Sequence, residues 1–82
     1  MKYVVYILYS QKRSRYYVGQ TDSIKKRLER HKKGLVPSTK GGSPWQLIKT
    51  LEVASRSEAL RQERKIKKRG AKRYLEDNQF GV

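Results

Sequence analysis

The sequence contains no cysteine and no apolar run long enough to span a bilayer. The lack of cysteine excludes disulfides and thiolate metal sites, and it is consistent with a reducing compartment, so we expect a cytoplasmic protein. The most apolar stretch, residues 3–9, is too short for a membrane span and is followed by no small-residue cleavage site. We find no internal repeat, heptad array or low-complexity linker, and 82 residues predict a single domain, residues 1–82.

Acidic residues are scarce, since seven Asp and Glu stand against 21 Lys and Arg, which gives a net charge of +14. Such an excess destabilises a fold by self-repulsion, so we expect a polyanionic partner, and nucleic acid is the first candidate. A membrane surface is disfavoured because no predicted helix pairs a basic face with a wide exposed apolar face. The shortage of carboxylates also disfavours a site with two metal ions, which needs a cluster of acids.

The first half of the chain predicts a β-hairpin followed by a helix and a long loop. β-branched and aromatic residues predict strands over Tyr3–Tyr9 and Tyr16–Thr21, and the near-continuous apolar run in the first predicts a strand covered on both faces. A helix is expected over Ser23–Lys33, with an N-cap before it and a glycine stop after it. Leu35–Ser43 is the longest irregular stretch, and such loops often carry function.

The second half predicts a third strand and two helices. The strand covers Trp45–Val53, and the long helix Ser55–Gly70 begins with a capping box of Ser and Glu. A short helix over Ala71–Asp77 follows, and we expect Asn78–Val82 to fray. The predicted fold class is α+β, a small three-stranded antiparallel sheet flanked by helices in the order β-β-α-β-α-(α).

Glu63 is conspicuous because it lies on the apolar side of its predicted helix. At 100° per residue it falls between Ala59 and Leu60, and Ile66 continues the same stripe. A carboxylate that points inward is unfavourable unless a cation, a metal ion or hydrogen bonds compensate it. An ordinary explanation is an acid at the edge of the stripe, neutralised by Lys or Arg.

Other polar residues interrupt apolar faces in the same way, namely Tyr6, Tyr17, Arg27 and His31. Taken singly, each has an ordinary structural explanation, such as a half-buried tyrosine or an arginine whose stem covers the core. Arg27 and His31 are four residues apart on one helix and are therefore neighbours. Together with Glu63, the set has an order and spacing typical of one enzyme family.

The chain resembles the GIY-YIG nuclease family over nearly its whole length. Val5-Tyr6-Ile7 and Tyr17-Val18-Gly19 correspond to the two short motifs of that family, and Arg27 and His31 take the positions of its helix arginine and its His/Tyr residue. The segment 59–67, Ala-Leu-Arg-Gln-Glu-Arg-Lys-Ile-Lys, is similar to the metal-ligand helix, with Glu63 as the ligand. The chain is most similar to the small, stand-alone bacterial members.

The resemblance implies the fold above and a metal-dependent endonuclease that hydrolyses phosphodiester bonds in DNA, with DNA repair among the roles of its relatives. Glu63 would bind a single Mg²⁺ or Mn²⁺ ion. Tyr17 would orient or deprotonate the attacking water with help from Tyr6, although either tyrosine remains a candidate for the base. Arg27 would hold a phosphate oxygen, and His31 would share the proton of Tyr6 or contact the phosphate.

Further nucleic-acid contacts are predicted for Gly19, Arg30, Lys40 and Lys67. Gly19 would let substrate approach the strand or would mark a bulge, and Lys67 would touch the backbone or remain a solvated helix lysine. DNA is favoured over RNA only through the family, and a targeting protein is possible, while the oligomeric state stays open. Two alternatives to the nuclease are a catalytically silent nucleic-acid-binding module and a small basic structural protein of the ribosome or nucleoid.

Overall fold

A computed structural model describes residues 2–37 and 39–80, with side chains for 2–37 and 39–77. It contains three strands and three helices, in the order β1 (Tyr3–Ser10), β2 (Arg15–Thr21), α1 (Ile24–Lys32), β3 (Trp45–Val53), α2 (Arg56–Arg69) and α3 (Ala71–Phe80). This is the predicted α+β order, β-β-α-β-α-α. Within the described part of the chain, no helix is both long enough and apolar enough to cross a bilayer.

The sheet is antiparallel, and the first strand lies in its centre in the order β2-β1-β3. The four middle residues of β1, from Val5 to Leu8, are each no more than 1% exposed. Successive side chains of a strand point to opposite faces, so both faces of β1 are covered, as the continuous apolar run predicts. We call these the core face, which contains Val5 and Ile7, and the site face, which contains Tyr6 and Leu8.

The core face packs against α2. Val5, Ile7 and Val18 form one cluster with Ala59 and Ile66, both of which are fully buried in α2. Burial of the apolar side chains of such a cluster is the main favourable term in folding, at about 25 cal/mol per Å² removed from water. The sheet and α2 therefore form the part of the molecule against which the remaining elements are positioned.

The helix ends lie where the capping residues predict them. Ser23 Oγ accepts a hydrogen bond from the Lys26 backbone amide, and Ser55 Oγ accepts one from the Glu58 amide. The predicted capping box is only half formed, because the Glu58 carboxylate contacts Gln62 and Arg61 of its own helix. Side-chain oxygens at the N-cap satisfy amides that have no partner within the helix.

The last helix is longer than predicted. We expected fraying from Asn78 onward, but the helical backbone continues to Phe80, and residues 81–82 lie outside the described residues. A bidentate ion pair joins Arg69 of α2 to Asp77 of α3, with Nε–Oδ2 and Nη2–Oδ1 distances of 2.7 and 3.0 Å. Leu75 also packs against the core cluster, so α3 is joined to the rest of the fold by an apolar contact as well as by the ion pair.

A β-bulge in β3 changes which of its side chains face the site. Ile7 pairs with Lys49, but the next residue, Leu8, pairs with Leu47, so Ile48 is an extra residue. Side chains alternate between the two faces of a strand. One extra residue therefore places residues 45–47 on the face opposite to the one that uninterrupted alternation from Lys49 would give them. Leu47 and Trp45 therefore lie on the site face, opposite Leu8 and Ser10.

Candidate active site

The site face is organised around Tyr6 and its neighbour on β2. Tyr6 pairs directly with Gly19, and a Cβ atom at Gly19 would lie 2.6 Å from the Tyr6 hydroxyl oxygen. The space left by the missing side chain is therefore filled by the Tyr6 ring. The pairing register is regular at Gly19, so the glycine marks no bulge there, and its predicted contact with substrate stays a prediction.

A chain of hydrogen bonds fixes the protonation of the buried imidazole. The Tyr6 hydroxyl lies 3.0 Å from His31 Nε2, and His31 Nδ1 lies 2.8 Å from Thr39 Oγ1. The Thr39 hydroxyl donates to the Val36 carbonyl at 3.2 Å, so its oxygen accepts from Nδ1–H. His31 Nε2 is then an acceptor, and Tyr6 is the donor to it. This hydrogen bond brings together the two groups that the resemblance implies would share a proton, and the sharing itself stays a prediction.

Burial sets the ionisation of both groups. Removal from water raises the pKa of Tyr6, the neighbouring Tyr17 hydroxyl adds to that rise, and the positive charge of Arg27 opposes it. Burial also lowers the pKa of His31, and the charges of Arg27 and Arg30 act in the same direction. Tyr6 is therefore a neutral phenol and His31 a neutral imidazole at neutral pH, which agrees with the hydrogen-bond directions.

Tyr17 is the tyrosine of this cluster that reaches the surface. Its ring centroid lies 6.2 Å from that of Tyr6, 5.1 Å from His31 and 6.4 Å from Trp45. Tyr17 is partly exposed, whereas Tyr6 is 0% and His31 2% exposed. The second role suggested for His31, direct contact with the phosphate, stays a prediction, and the imidazole offers little exposed surface for it.

Arg27 lies on α1, one turn before His31. It is partly exposed, lines a small hollow of about 170 Å³ at the end of β2, and shares that hollow with Arg56 of α2 and with Asp22. Two guanidinium groups and one carboxylate thus lie at the end of the edge strand β2, which leaves one net positive charge there. A planar guanidinium can hold two oxygens of a phosphate at once, which makes this edge suitable for an anionic ligand.

Glu63 lies on the buried side of α2, as its position in the helix predicts. Its side chain is 18% exposed, and its carboxylate contacts the ammonium of Lys67 one turn later at 3.3 Å. Leu60, which we predicted on the same buried face, is instead 37% exposed, because α2 meets the sheet through Ala59 and Ile66. Lys67 thus supplies the compensating charge that the ordinary explanation of Glu63 requires.

The donor set at Glu63 restricts the kind of metal ion that it could hold. Among residues 2–37 and 39–77, no group of three or more His, Asp or Glu residues could enclose a cation. Mg²⁺ keeps several waters and commonly binds proteins through one or two carboxylates together with substrate phosphates. A single half-buried carboxylate fits that mode and does not fit a cage made of protein ligands alone.

The other predicted nucleic-acid contacts lie in three different places. Lys67 lines a hollow beside Tyr17, at the edge of β2. Arg30 is exposed on α1 next to His31, and Lys40 is exposed in the loop before β3, where its backbone carbonyl accepts a hydrogen bond from Arg13 Nη2 at 2.8 Å. Lys67 is thus adjacent to the tyrosine cluster, and contact of all three cations with nucleic acid stays a prediction.

Sequence reasoning missed Thr39 and Trp45. Thr39 is 1% exposed although it lies in the irregular loop, and the Trp45 Nε1–H donates to its carbonyl at 2.8 Å. The loop approaches the ring closely, since a Cβ atom at Gly42 would lie 2.6 Å from Trp45 Cζ2. A threonine in a long loop has no periodic pattern to mark it, and only the single tryptophan was a signal available in the sequence.

Comparisons with known proteins agree with this fold. The family model of the GIY-YIG catalytic domain matches residues 2–75. A UPF0213 protein from Bacillus halodurans, solved in solution by NMR, is similar in structure with a TM-score of 0.59 and 28% sequence identity, over 98% of this chain and 85% of that one. No curated protein matches the chain. Since the match covers 2–75 of 82 residues, the protein belongs to the GIY-YIG family.

Proposed function

We propose that the protein is a metal-dependent endonuclease that hydrolyses phosphodiester bonds in DNA. The observation that carries the proposal is the contact of the Tyr17 ring with the buried hydrogen-bond chain formed by Tyr6, His31 and Thr39. A partly exposed phenol lies against Tyr6 and His31, whose hydrogen bonds are complete and internal. Burying several polar groups on one face of a sheet gives no obvious gain in stability, whereas a fixed network positions a reactive group.

Tyr17 would act directly on the attacking water. Tyr6 and His31 are buried and Tyr17 is partly exposed, so Tyr17 is the phenol of the cluster within reach of substrate. The water oxygen would form a bond to phosphorus as the ester P–O bond breaks, while Tyr17 orients the water or accepts its proton. Tyr6 and His31 are positioning residues in this scheme, since their hydrogen bond fixes the ring on which Tyr17 lies.

Arg27 would stabilise the negative charge that develops on the phosphate oxygens. Its guanidinium lies close enough to Tyr6 to oppose the rise in the pKa of that phenol, so it is near the tyrosine cluster. Preorganised cations of this kind contribute on the order of a hundredfold or more to the rate of reactions that build up anionic charge. Arg56, which lines the same hollow, would add a second positive charge.

Glu63 would hold the metal ion, which supplies charge neutralisation at the phosphate and an acidic bound water. For this, the carboxylate must exchange its contact with Lys67 for one with the cation. The Lys67 side chain is 58% exposed and flexible, so the exchange needs no rearrangement of the core. The charge of the displaced ammonium would then be available to a phosphate of the substrate.

One observation favours the catalytically silent binding module instead. Glu63 already has a partner of opposite charge in Lys67, so a metal ion is not needed to explain why this acid tolerates its position. A module of this kind would bind DNA through its net charge of +14 and would show the steep salt dependence of counterion release without any strand cleavage.

The test is cleavage of branched, flapped, single-stranded and duplex DNA in Mg²⁺, Mn²⁺ or EDTA. We expect cleavage with either metal and none with EDTA, and loss of at least about tenfold in rate for Tyr17→Phe and for Glu63→Gln, with DNA binding retained. Tyr16→Phe and Glu58→Gln are matched controls: Tyr16 is one residue along β2, and the Glu58 carboxylate of α2 is 35% exposed and contacts Arg61. Binding without cleavage of any substrate would favour the silent module.

A further inference from the structure

An apolar groove runs beside the candidate active site, between α1 and β3. It has a volume of about 520 Å³, and His31 lies at its inner end. Its floor consists of five apolar side chains, Leu8, Leu28, Pro44, Trp45 and Leu47. Leu47 is 40% exposed, so the floor is open to solvent and nothing in the described chain covers it. We call this the α1–β3 groove, and the proposed function makes no use of it.

The groove is aligned with the tyrosine cluster because of the bulge in β3. Ile48 is the extra residue, and it places both Trp45 and Leu47 on the face that carries Tyr6. The Trp45 ring is fixed by its hydrogen bond to the Thr39 carbonyl and meets the Tyr17 ring nearly edge-on, at 68°. A flat aromatic surface therefore adjoins the residue that we propose to act on the scissile phosphate.

The rim of the groove is basic. Lys25 and Lys32 of α1 line it on either side of Glu29, which leaves one net positive charge at the rim. A ligand that is flat and apolar on one side and anionic on the other would satisfy both floor and rim. A second copy of the chain would not, because each copy carries +14 and the two would repel each other.

We propose that the α1–β3 groove holds an unpaired nucleotide of the strand to be cut, with its base on Trp45 and the phosphates on its two sides at Lys25 and at Lys32, on either side of Glu29. The proposal rests on the proposed function, since it assigns a subsite next to the scissile phosphate. Bases stack on aromatic side chains without regard to sequence, provided that they are not already stacked within a duplex. The preferred substrate is then DNA with a single-stranded segment, such as a flap or a splayed end.

Trp45 reports on the groove directly, because it is the single tryptophan of the chain. In EDTA, where no cleavage takes place, a single-stranded oligothymidylate of about ten nucleotides should quench Trp45 fluorescence, and a duplex of the same length should not. Binding is measured in parallel by the anisotropy of labelled DNA. Quenching that is equal for the duplex and the single strand, or absent while the single strand binds, would overturn the proposal.

Leu47 and Ile48 offer a matched pair of variants. They are adjacent, 40% and 39% exposed, and only Leu47 is among the described residues that line the groove. Leu47→Asp and Ile48→Asp change the net charge equally. We expect Leu47→Asp to weaken single-strand binding about tenfold, the scale of one lost stacking site, and Ile48→Asp to weaken it by less than about threefold. Equal losses in the two variants would contradict the proposal.

The outcome is separable from that of the proposed function. Quenching with no cleavage under any metal condition would retain the subsite and refute the nuclease. Cleavage that Leu47→Asp leaves unchanged on flapped substrates would retain the nuclease and refute the subsite. If an acidic amphipathic peptide quenches Trp45 at lower concentration than the oligothymidylate does, the groove belongs to a protein partner and the nucleotide assignment is wrong.

Discussion

Tyr6 and Gly19 face each other across the β1–β2 pair so closely that one methyl group on the glycine would overlap the phenol. The added Cβ atom would lie 2.6 Å from the Tyr6 hydroxyl oxygen and 2.7 Å from Cζ. Real Cβ contacts are never this short, so one partner must move. The same hydroxyl donates to His31, and the glycine therefore determines whether the buried hydrogen-bond chain can form.

Gly19→Ala is expected to displace the Tyr6 ring and to lower the free energy of unfolding by about 1–3 kcal/mol, the usual range for overpacking. The displacement would break the bond from Tyr6 to His31 and reduce any cleavage activity. Urea denaturation measures the change in the free energy of unfolding, and the chemical shift of the His31 imidazole reports whether its hydrogen bond with Tyr6 is broken. Wild-type stability together with an unchanged imidazole signal would show that the ring adapts at no cost.

The control for Gly19→Ala is the same change made in a Tyr6→Leu background. Leucine lacks the phenol carbon and oxygen that approach Gly19, so the added methyl group should then lower stability by much less. The difference between the two effects is the coupling energy of the pair, which contacting residues commonly show at about 0.5–3 kcal/mol.

Thr39→Val is expected to leave the buried Nδ1–H of His31 without an acceptor. Valine has nearly the same shape as threonine, so the main change is the loss of the hydroxyl, and the penalty for one unsatisfied buried donor is about 1–3 kcal/mol. The nitrogen shifts of the imidazole should show that the Nδ1–H tautomer is no longer selected. Thr39→Ser keeps the hydroxyl and should behave like wild type, and if both variants behave alike the hydroxyl has no such role.

Stability should decrease on acidification because the pKa of His31 is lowered in the folded state. The ordinary value is 6.5, so below this pH the unfolded chain binds a proton that the folded chain resists. The His31 contribution is therefore complete above about pH 6.5 and is lost as the pH falls, with a slope of at most about 1.4 kcal/mol per pH unit. Urea denaturation between about pH 7.5 and pH 5.5 measures this slope, before most carboxylates titrate.

His31→Gln is the control for the pH effect, because the chain has only one histidine. The slope between about pH 7.5 and pH 5.5 should flatten in this variant, since no other side chain ordinarily titrates there. A variant that keeps the full wild-type slope would assign the effect to another group. Stability that rises on acidification of the wild type would contradict the lowered pKa itself.

Lys67→Met is expected to make cleavage less demanding in metal ion. The change removes the ammonium that contacts Glu63 and keeps much of the aliphatic chain, so the carboxylate is free for a cation. The Mg²⁺ concentration that gives half-maximal cleavage should fall, while DNA binding weakens slightly through the lost charge. Lys68→Met removes an equal charge from the same helix and should leave the Mg²⁺ requirement unchanged. An unchanged Mg²⁺ requirement in Lys67→Met would separate Glu63 from the metal.

Local signals predicted most of the fold because its boundaries depend on neighbouring residues. The N-cap serines at 23 and 55 and the glycine at 70 mark helix ends through contacts within four residues, and sequence patterns record such contacts well. The extension of α3 to Phe80 was missed because its stabilising partner, Arg69, lies eight residues away from Asp77 on another helix.

The sequence predicted which residues belong to the candidate site, but it did not predict which of them form hydrogen bonds or ion pairs with one another. The resemblance identified Tyr6 and His31, but their hydrogen bond joins residues 25 apart in the sequence. The next bond of the chain goes from His31 to Thr39, a loop residue that no periodic sequence pattern marks. Glu63 was correctly placed in the apolar stripe, whereas its contact with Lys67 was one of several possible compensations. Helical geometry gives the direction of a side chain, and only the fold reveals which charge meets it.

Because Ile48 has no partner on β1, it can be replaced or removed without changing which side chains of β3 face the site. The Ile48 side chain is exposed, so replacing it with another residue should change the stability of the fold only slightly. Deleting it would make Leu47 the direct neighbour of Lys49, so regular alternation would keep Leu47 opposite Leu8 and Trp45 opposite Ser10, on the site face. The Trp45 indole would then still donate to the Thr39 carbonyl, so an in-frame loss of this one codon would be better tolerated than the loss of a codon for a paired residue of β3.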